Sequence, residues 1–293
     1  MAAFNSRGLR RFVCHCTQFF MSFPKWVCHR LSQMIDWFHH ISGDKQFEDG
    51  ARAGCDAMNR VLTLGAAVWM GLAGLPAGIA HAEDDNPVVV ELFTSQGCSS
   101  CPPADALLEE IGTRDDVIAL ALHVDYWDYI GWKDRFASPK FTKRQRGYAR
   151  AGGWKMIYTP QIVVNGMEDV VGSRPGAVSA LIAAHEDAAP KAHVTLERVG
   201  DMVRIRAVSD GQVRPCDVHV VRYDPAEEVM IGRGENAGKT VNYTHIVRDW
   251  DVAARWDGTG TFEAEVPVPG DMPVVVLLQS PRHGPIIAAA RLR

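Results

Sequence analysis

Two cysteines separated by two serines, Cys98-Ser99-Ser100-Cys101, are the side chains in this sequence best suited to chemistry. A thiolate is a nucleophile, and a second thiol one helical turn further on can attack a mixed disulfide formed at the first. The flanking sequence says how such a pair is held. Val88-Val89-Val90-Glu91-Leu92-Phe93 is a short, mostly β-branched apolar run, the pattern of a buried strand. Thr94 to Gly97 reads as a turn. Pro102 and Pro103 then suit a first helical turn, and Ala104, Leu107, Leu108 and Ile111 recur at helical spacing before Gly112. Cys98 is therefore predicted just off a helix N-terminus, where the dipole and free N–H groups depress a thiol pKa. Neither proline has an N–H, so the donors facing Cys98 come from Ser99, Ser100 and Cys101. Cys98 is expected to be the attacking thiolate, more exposed and more acidic than Cys101, with Cys101 as the resolving thiol.

Other residues carry weaker signals. Glu91 is a lone carboxylate in an apolar strand. Either it points beneath the cysteine pair, with a raised pKa suited to shuttling a proton for Cys101, or it faces solvent or a basic partner. His123 and Asp125 end the next apolar run, Val117 to Val124. Tyr126-Trp127-Asp128-Tyr129-Ile130-Gly131-Trp132 concentrates aromatic side chains that close the core or line a groove. Lys140, Lys143, Arg144, Arg146 and Arg150 form a basic stripe, read as a solvated helix face with docking to an acidic partner as the alternative. Cys216 reads as a small buried thiol. Gly232-Arg233-Gly234-Glu235-Asn236-Ala237-Gly238 lacks the spacing of a phosphate loop and reads as a connection between strands.

The elements that must position these residues alternate. Beyond the first strand and helix come strand 117–124, helix 138–151, strand 161–164 turned at Asn165-Gly166, strand 168–171 and helix 175–186. Strand, Cys-x-x-Cys helix and a Thr159-Pro160 that opens a later hairpin together resemble the thioredoxin superfamily. The string Glu91-Leu92-Phe93-Thr94-Ser95-Gln96-Gly97-Cys98-Ser99-Ser100-Cys101-Pro102-Pro103-Ala104-Asp105 is more specific. With His123-Val124-Asp125-Tyr126-Trp127 and Tyr158-Thr159-Pro160-Gln161, it is similar to an uncharacterised bacterial family of exported thioredoxin-like proteins, a domain of unknown function. The resemblance covers about residues 86–291. It implies a β-α-β-α-β-β-α thioredoxin-like domain and a cis Pro160 packed against the cysteine pair. Ser-Ser between the cysteines departs from the better-known relatives, so their redox poise does not transfer.

After Pro190 the texture changes to about seven short alternating runs separated by Gly, Pro and Asp, which suggests a β-sandwich-like domain over 190–293 following a thioredoxin-like domain over 86–189. Upstream, Met58-Asn59-Arg60 precedes an uncharged apolar run, 61–82, closing on Ala80-His81-Ala82. That is the pattern of a signal peptide over 58–82, with 1–57 as an upstream extension outside the fold; an uncleaved membrane anchor is the alternative. Cys14, His15 and Cys16 are too closely spaced for the usual zinc ligands. From residue 83 on there are 23 basic against 30 acidic side chains, a formal −7.

The 293-residue chain is 47% hydrophobic and 23% charged, with a formal charge of −4. Disordered, collagen-like and multi-span membrane classes are excluded, and a nucleic-acid partner is not expected. The expectation is a periplasmic or secreted thiol-disulfide oxidoreductase acting on protein thiols or disulfides, with no cofactor. Two alternatives stand beside it. One is a periplasmic Cu(I)-binding protein using Cys98, Cys101 and a third ligand from His123 or Met156. The other is a non-catalytic interaction module with a structural disulfide.

Overall fold

The computed structural model describes residues 87–186, 191–209, 211 and 213–293. The expected extension 1–57 and signal segment 58–82 lie outside them. Among the described residues no helix is long and apolar enough to cross a membrane.

The chain order is β1 (Val88–Thr94), α1 (Pro102–Ile111), β2 (Val117–His123), a 3-10 turn (Asp128–Ile130), α2 (Pro139–Gly152), β3 (Gln161–Val164), β4 (Glu168–Val171) and α3 (Pro175–Glu186). Seven strands follow: β5 (Ala192–Val199), β6 (Met202–Ser209), β7 (Cys216–Met230), β8 (Thr240–Trp256), β9 (Thr261–Pro267), β10 (Val274–Gln279) and β11 (Ile286–Leu292). Local signals set the boundaries. Ser138 caps α2 by accepting from the Lys140 N–H, Pro139 fills its first position, and Gly153 stops it at a φ of 69°.

Eight strands make one mixed sheet in the order β11-β10-β7-β8-β2-β1-β3-β4. β1 runs parallel to β2 and antiparallel to β3. Alternation along β1 sends Val88, Val90 and Leu92 to one face, against Leu108 and Ile111 of α1 and Ile182 of α3. Val89 and Phe93 go to the other, against Phe141 and Tyr148 of α2. Both faces are covered, so β1 and β2 are apolar almost throughout.

The boundary expected near residue 190 does not divide this sheet, because β7, β8, β10 and β11 extend it. The sandwich is local: the antiparallel sheet β5-β6-β9 lays Val203, Ile205 and Ala207 on Val274, Val276 and Leu278 of β10. β7 and β8 are also longer than the short runs expected over 190–293, at 15 and 17 residues. Asp224-Pro225 reads as a break, yet pairing continues on both sides of it, from Asp224↔Ile246 to Met230↔Thr240. His245, which falls between the partners of Asp224 and Ala226, takes a φ of 54°, and the register is unchanged across the proline. The extended hairpin carries its loop to the cysteines.

Candidate functional site

Cys98 and Cys101 form a disulfide, with Cα atoms 5.4 Å apart. They sit in the turn joining β1 to α1, where the Cys98 N–H donates to the Ser95 carbonyl and the Cys101 N–H to the Cys98 carbonyl. Cys101 is the N-cap residue of α1. The Ser100 hydroxyl lies 3.4 Å from the Cys98 sulfur. The expected difference in exposure is absent in this disulfide form: both cysteines are 0% exposed, and only Ser99 and Ser100 face solvent.

The loop between β7 and β8 is bonded to the cysteine turn. Asn236, 0% exposed among exposed neighbours, donates from Nδ2 to the carbonyl oxygens of Gln96 (3.0 Å) and Cys98 (2.8 Å). Lys239 holds the amide oxygen of Asn236 at 2.9 Å. Glu235 accepts the Ser99 N–H at 3.3 Å, taking one donor expected to face the Cys98 sulfur. Gly234, at a φ of 79°, turns the loop close against Ile130 and Trp132. The glycine-rich segment is thus a connection, as its spacing suggests, and also a flap over the cysteine turn.

Glu91 belongs to the opposite face of the sheet from α1, and the reading that puts it beneath the cysteines is corrected. Its carboxylate is paired with Arg144, Nε to Oε2 at 2.6 Å and Nη2 to Oε1 at 2.8 Å, and accepts from the Tyr148 hydroxyl at 2.5 Å. Arg144 therefore leaves the solvated stripe. It is buried, stacked 3.7 Å over the Trp250 ring and bonded to Gln279. Burial disfavours its charge, but Glu91 outweighs that and holds its pKa above the usual guanidinium value.

The buried carboxyl near the cysteine pair is Asp105. It lies four residues after Cys101, hence on the same side of α1. Burial pushes its pKa up to about 7, against weaker lowering by His123 and by the Thr94 hydroxyl that donates to Oδ1 at 2.8 Å. Oδ2 has no partner. His123, at the end of β2, places Nδ1 2.7 Å from Asp134 Oδ2, and its buried Nε2 likewise has no partner among the described residues. Burial works against the Asp134 charge, yet His123 and the N–H groups of Gln96 and Phe136 keep its pKa low. An ionised Asp134 makes Nδ1 the protonated nitrogen of His123. Asp134 also accepts the Gln96 N–H, tying this array to the cysteine turn. The result is a buried acid–base set in which Asp105 and His123 each keep one unsatisfied atom.

Thr159-Pro160 is cis. Pro160 and Ala104 of α1 both border Gly172, where an added Cβ would meet them at 3.3 and 3.2 Å. Trp127 Nε1 donates to Thr159 Oγ1 at 2.7 Å, joining the aromatic segment to the proline loop. Trp132 Nε1 donates to Gln96 Oε1 at 2.8 Å. Among the described residues no group of three or more His, Cys, Asp or Glu is placed to hold a metal ion, and Met156 is 70% exposed. Cys216 is buried, which pushes its thiol up to about 11.

Asp105 carries a legible signal, a carboxylate on the apolar face of α1 one turn after Cys101. Asp134 and Asn236 carry none, since each acts through contacts 38 and 138 residues away in sequence.

A family model described as "Protein of unknown function (DUF1223)" matches residues 89–279. Among solved structures, the chain is similar to an Agrobacterium tumefaciens protein determined by X-ray crystallography, at 34% identity and a TM-score of 0.62, covering 72% of this chain and 96% of that one. It also resembles HBP35 of Porphyromonas gingivalis at 20% identity and a TM-score of 0.53, over 71% of this chain and 75% of that one, a likeness of fold alone. No curated protein matches.

Proposed function

We propose that this chain, which belongs to the DUF1223 family of proteins of unknown function, is an exported thiol-disulfide oxidoreductase with a thioredoxin-like core. The observation that carries the reading is the Cys98–Cys101 pair, at bonding distance at the N-terminus of α1. Three others support it. The strand order β2-β1-β3-β4, with β2 parallel and β3 antiparallel to β1, suits the thioredoxin-like reading of the first half. A cis Thr159-Pro160 opens β3. An array able to exchange protons, Asp105, His123 and Asp134, is buried beside the pair. Export rests on the signal-like segment 58–82 and on the use of a disulfide, which suits an oxidising compartment.

In the reducing direction the Cys98 thiolate attacks one sulfur of a partner disulfide. That bond breaks, and the other partner sulfur leaves as a thiolate. Cys101 loses its proton to the buried array and attacks Cys98 Sγ, forming the disulfide seen here and releasing the second partner thiolate. Two electrons pass to the partner, and the reverse sequence oxidises it. Asp105 is poised for the proton step because its pKa lies near neutrality. The Ser100 hydroxyl is placed to donate to a Cys98 thiolate.

The test is trapping. Cys101→Ser should accumulate mixed disulfides with partner proteins through Cys98, and Cys98→Ser should accumulate few. Equal trapping by both variants, or by neither, would overturn the assignment. A reduction potential below roughly −300 mV would instead identify a structural disulfide.

A further inference from the structure

The basic stripe on α2 separates into parts with different partners. Arg144 turns inward to Glu91, and Lys140 faces Asp251 at 3.5 Å. Lys143, Arg146 and Arg150 remain, exposed and spaced so that they share one helix face. None of them joins an ion pair found among the described residues. They line a cleft of about 480 Å³ with Asp125, Tyr126 and Thr142. Asp125 brings the one carboxylate of that lining, and Oδ1 already accepts from the Thr142 hydroxyl at 2.5 Å. Three cations against one carboxylate leave the cleft positive on a protein whose residues 83–293 carry −7.

The cleft adjoins the cysteine turn. Trp127 follows Tyr126, and its Cβ lies 3.1 Å from where a side chain on Gly97 would begin, one residue before Cys98. Tyr129, 81% exposed, stacks on Trp127 with the rings 14° from parallel. This gives an aromatic shelf, Tyr129 exposed and Trp127 half-buried, that meets the cysteine turn at Gly97 and continues in the chain from the cleft residue Tyr126. An extended chain advances roughly 3.3 Å per residue. Residues two to four positions from a partner cysteine held at Cys98 thus reach about 7 to 13 Å from it, and these are the positions assigned to the cleft.

We propose that this cleft is the docking site for an acidic polypeptide segment flanking the partner's reactive cysteine. The proposal rests on the redox reading and names its substrate class. Aromatic side chains and arginines are the groups that dominate protein interfaces, and opposite charge steers encounter.

The test uses three disulfide-bridged peptides that differ only two to four positions from the cysteine, where they carry Glu, Gln or Lys. Exchange with the reduced protein is followed in 20 mM and in 500 mM salt. The Glu peptide should react about tenfold faster than the Gln peptide in low salt, and the advantage should collapse in high salt. The overall negative charge favours the Lys peptide, so a Glu preference identifies the local cleft. Arg146→Glu with Arg150→Glu should remove or reverse the order, whereas Lys191→Glu with Arg214→Glu, the same change of charge elsewhere, should keep it. A Lys preference, no preference, or loss of the order in the control variant would overturn the proposal. So would inorganic phosphate at millimolar concentration displacing the Glu peptide, which would mark a small-anion site. If no peptide is exchanged at all, the redox reading falls. Binding of the same peptides with Cys replaced by Ser, read by tryptophan fluorescence, then judges the cleft separately: Glu over Lys supports it, and equal binding sinks it.

Discussion

Replacing Asp105 by asparagine removes an ionisable group whose charge the fold disfavours, while keeping its shape and its ability to accept from Thr94. The Asp105 carboxyl titrates at 3.8 when unperturbed and at about 7 in the folded protein, chiefly through burial. Its folded pKa is raised, so the native state holds a proton that the unfolded chain has released between those two values. Wild-type stability therefore falls as pH rises from about 4 to about 7, and is flat with respect to this group outside that window. A shift of about three pH units at 1.36 kcal/mol each corresponds to about 4 kcal/mol at pH 8. Asp105→Asn should accordingly be more stable than wild type by about that amount at pH 8, and within about 0.5 kcal/mol of it at pH 4. Urea unfolding followed by tryptophan fluorescence across pH 4 to 8.5 measures the difference directly. A variant less stable than wild type at pH 8 would mean that His123 holds Asp105 ionised, and the reasoning would fail. A gain that does not vary with pH would also refute it, since it would have nothing to do with titration.

Four other outcomes follow from named contacts. Asn236→Ala removes both bonds from the flap to the cysteine turn, and dithiothreitol should reduce the Cys98–Cys101 disulfide roughly tenfold faster; an unchanged rate would mean the flap opens freely. Arg144→Met strands the buried Glu91 carboxylate and should cost about 3–5 kcal/mol in denaturant unfolding. Glu91→Gln, given with refolded protein, should leave the pH dependence of thiol exchange where it is; a displaced profile would restore Glu91 to the proton path. Gly112→Ala would place a Cβ 2.3 Å from the His245 ring and should lower Tm by several degrees, checked calorimetrically against an exposed Gly176→Ala, which meets nothing within 4 Å.

What the sequence determined by itself is local. The apolar run before Cys98, the prolines after it, the alternating strands and the capped helices each follow from side chains within a few residues of one another. Hydrogen-bonding periodicity and capping act at that range, so the elements of both halves and the junction that holds Cys98 and Cys101 were legible. Even Asp105 was exposed to such reasoning, as a carboxylate on an apolar helix face. Which face of β1 receives Glu91 comes from packing, because alternation fixes that successive side chains oppose each other but not which side meets α1. Packing also decided that Arg144 leaves the solvent to pair with that carboxylate. A proline has no N–H for a ladder, yet the pairing of β7 with β8 continues on both sides of Pro225. That continuation carries Asn236 across 138 residues of sequence to the Cys98 carbonyl. Burial of the disulfide, and the shared location of Asp105, His123 and Asp134, come from such long-range packing, for which no local pattern exists.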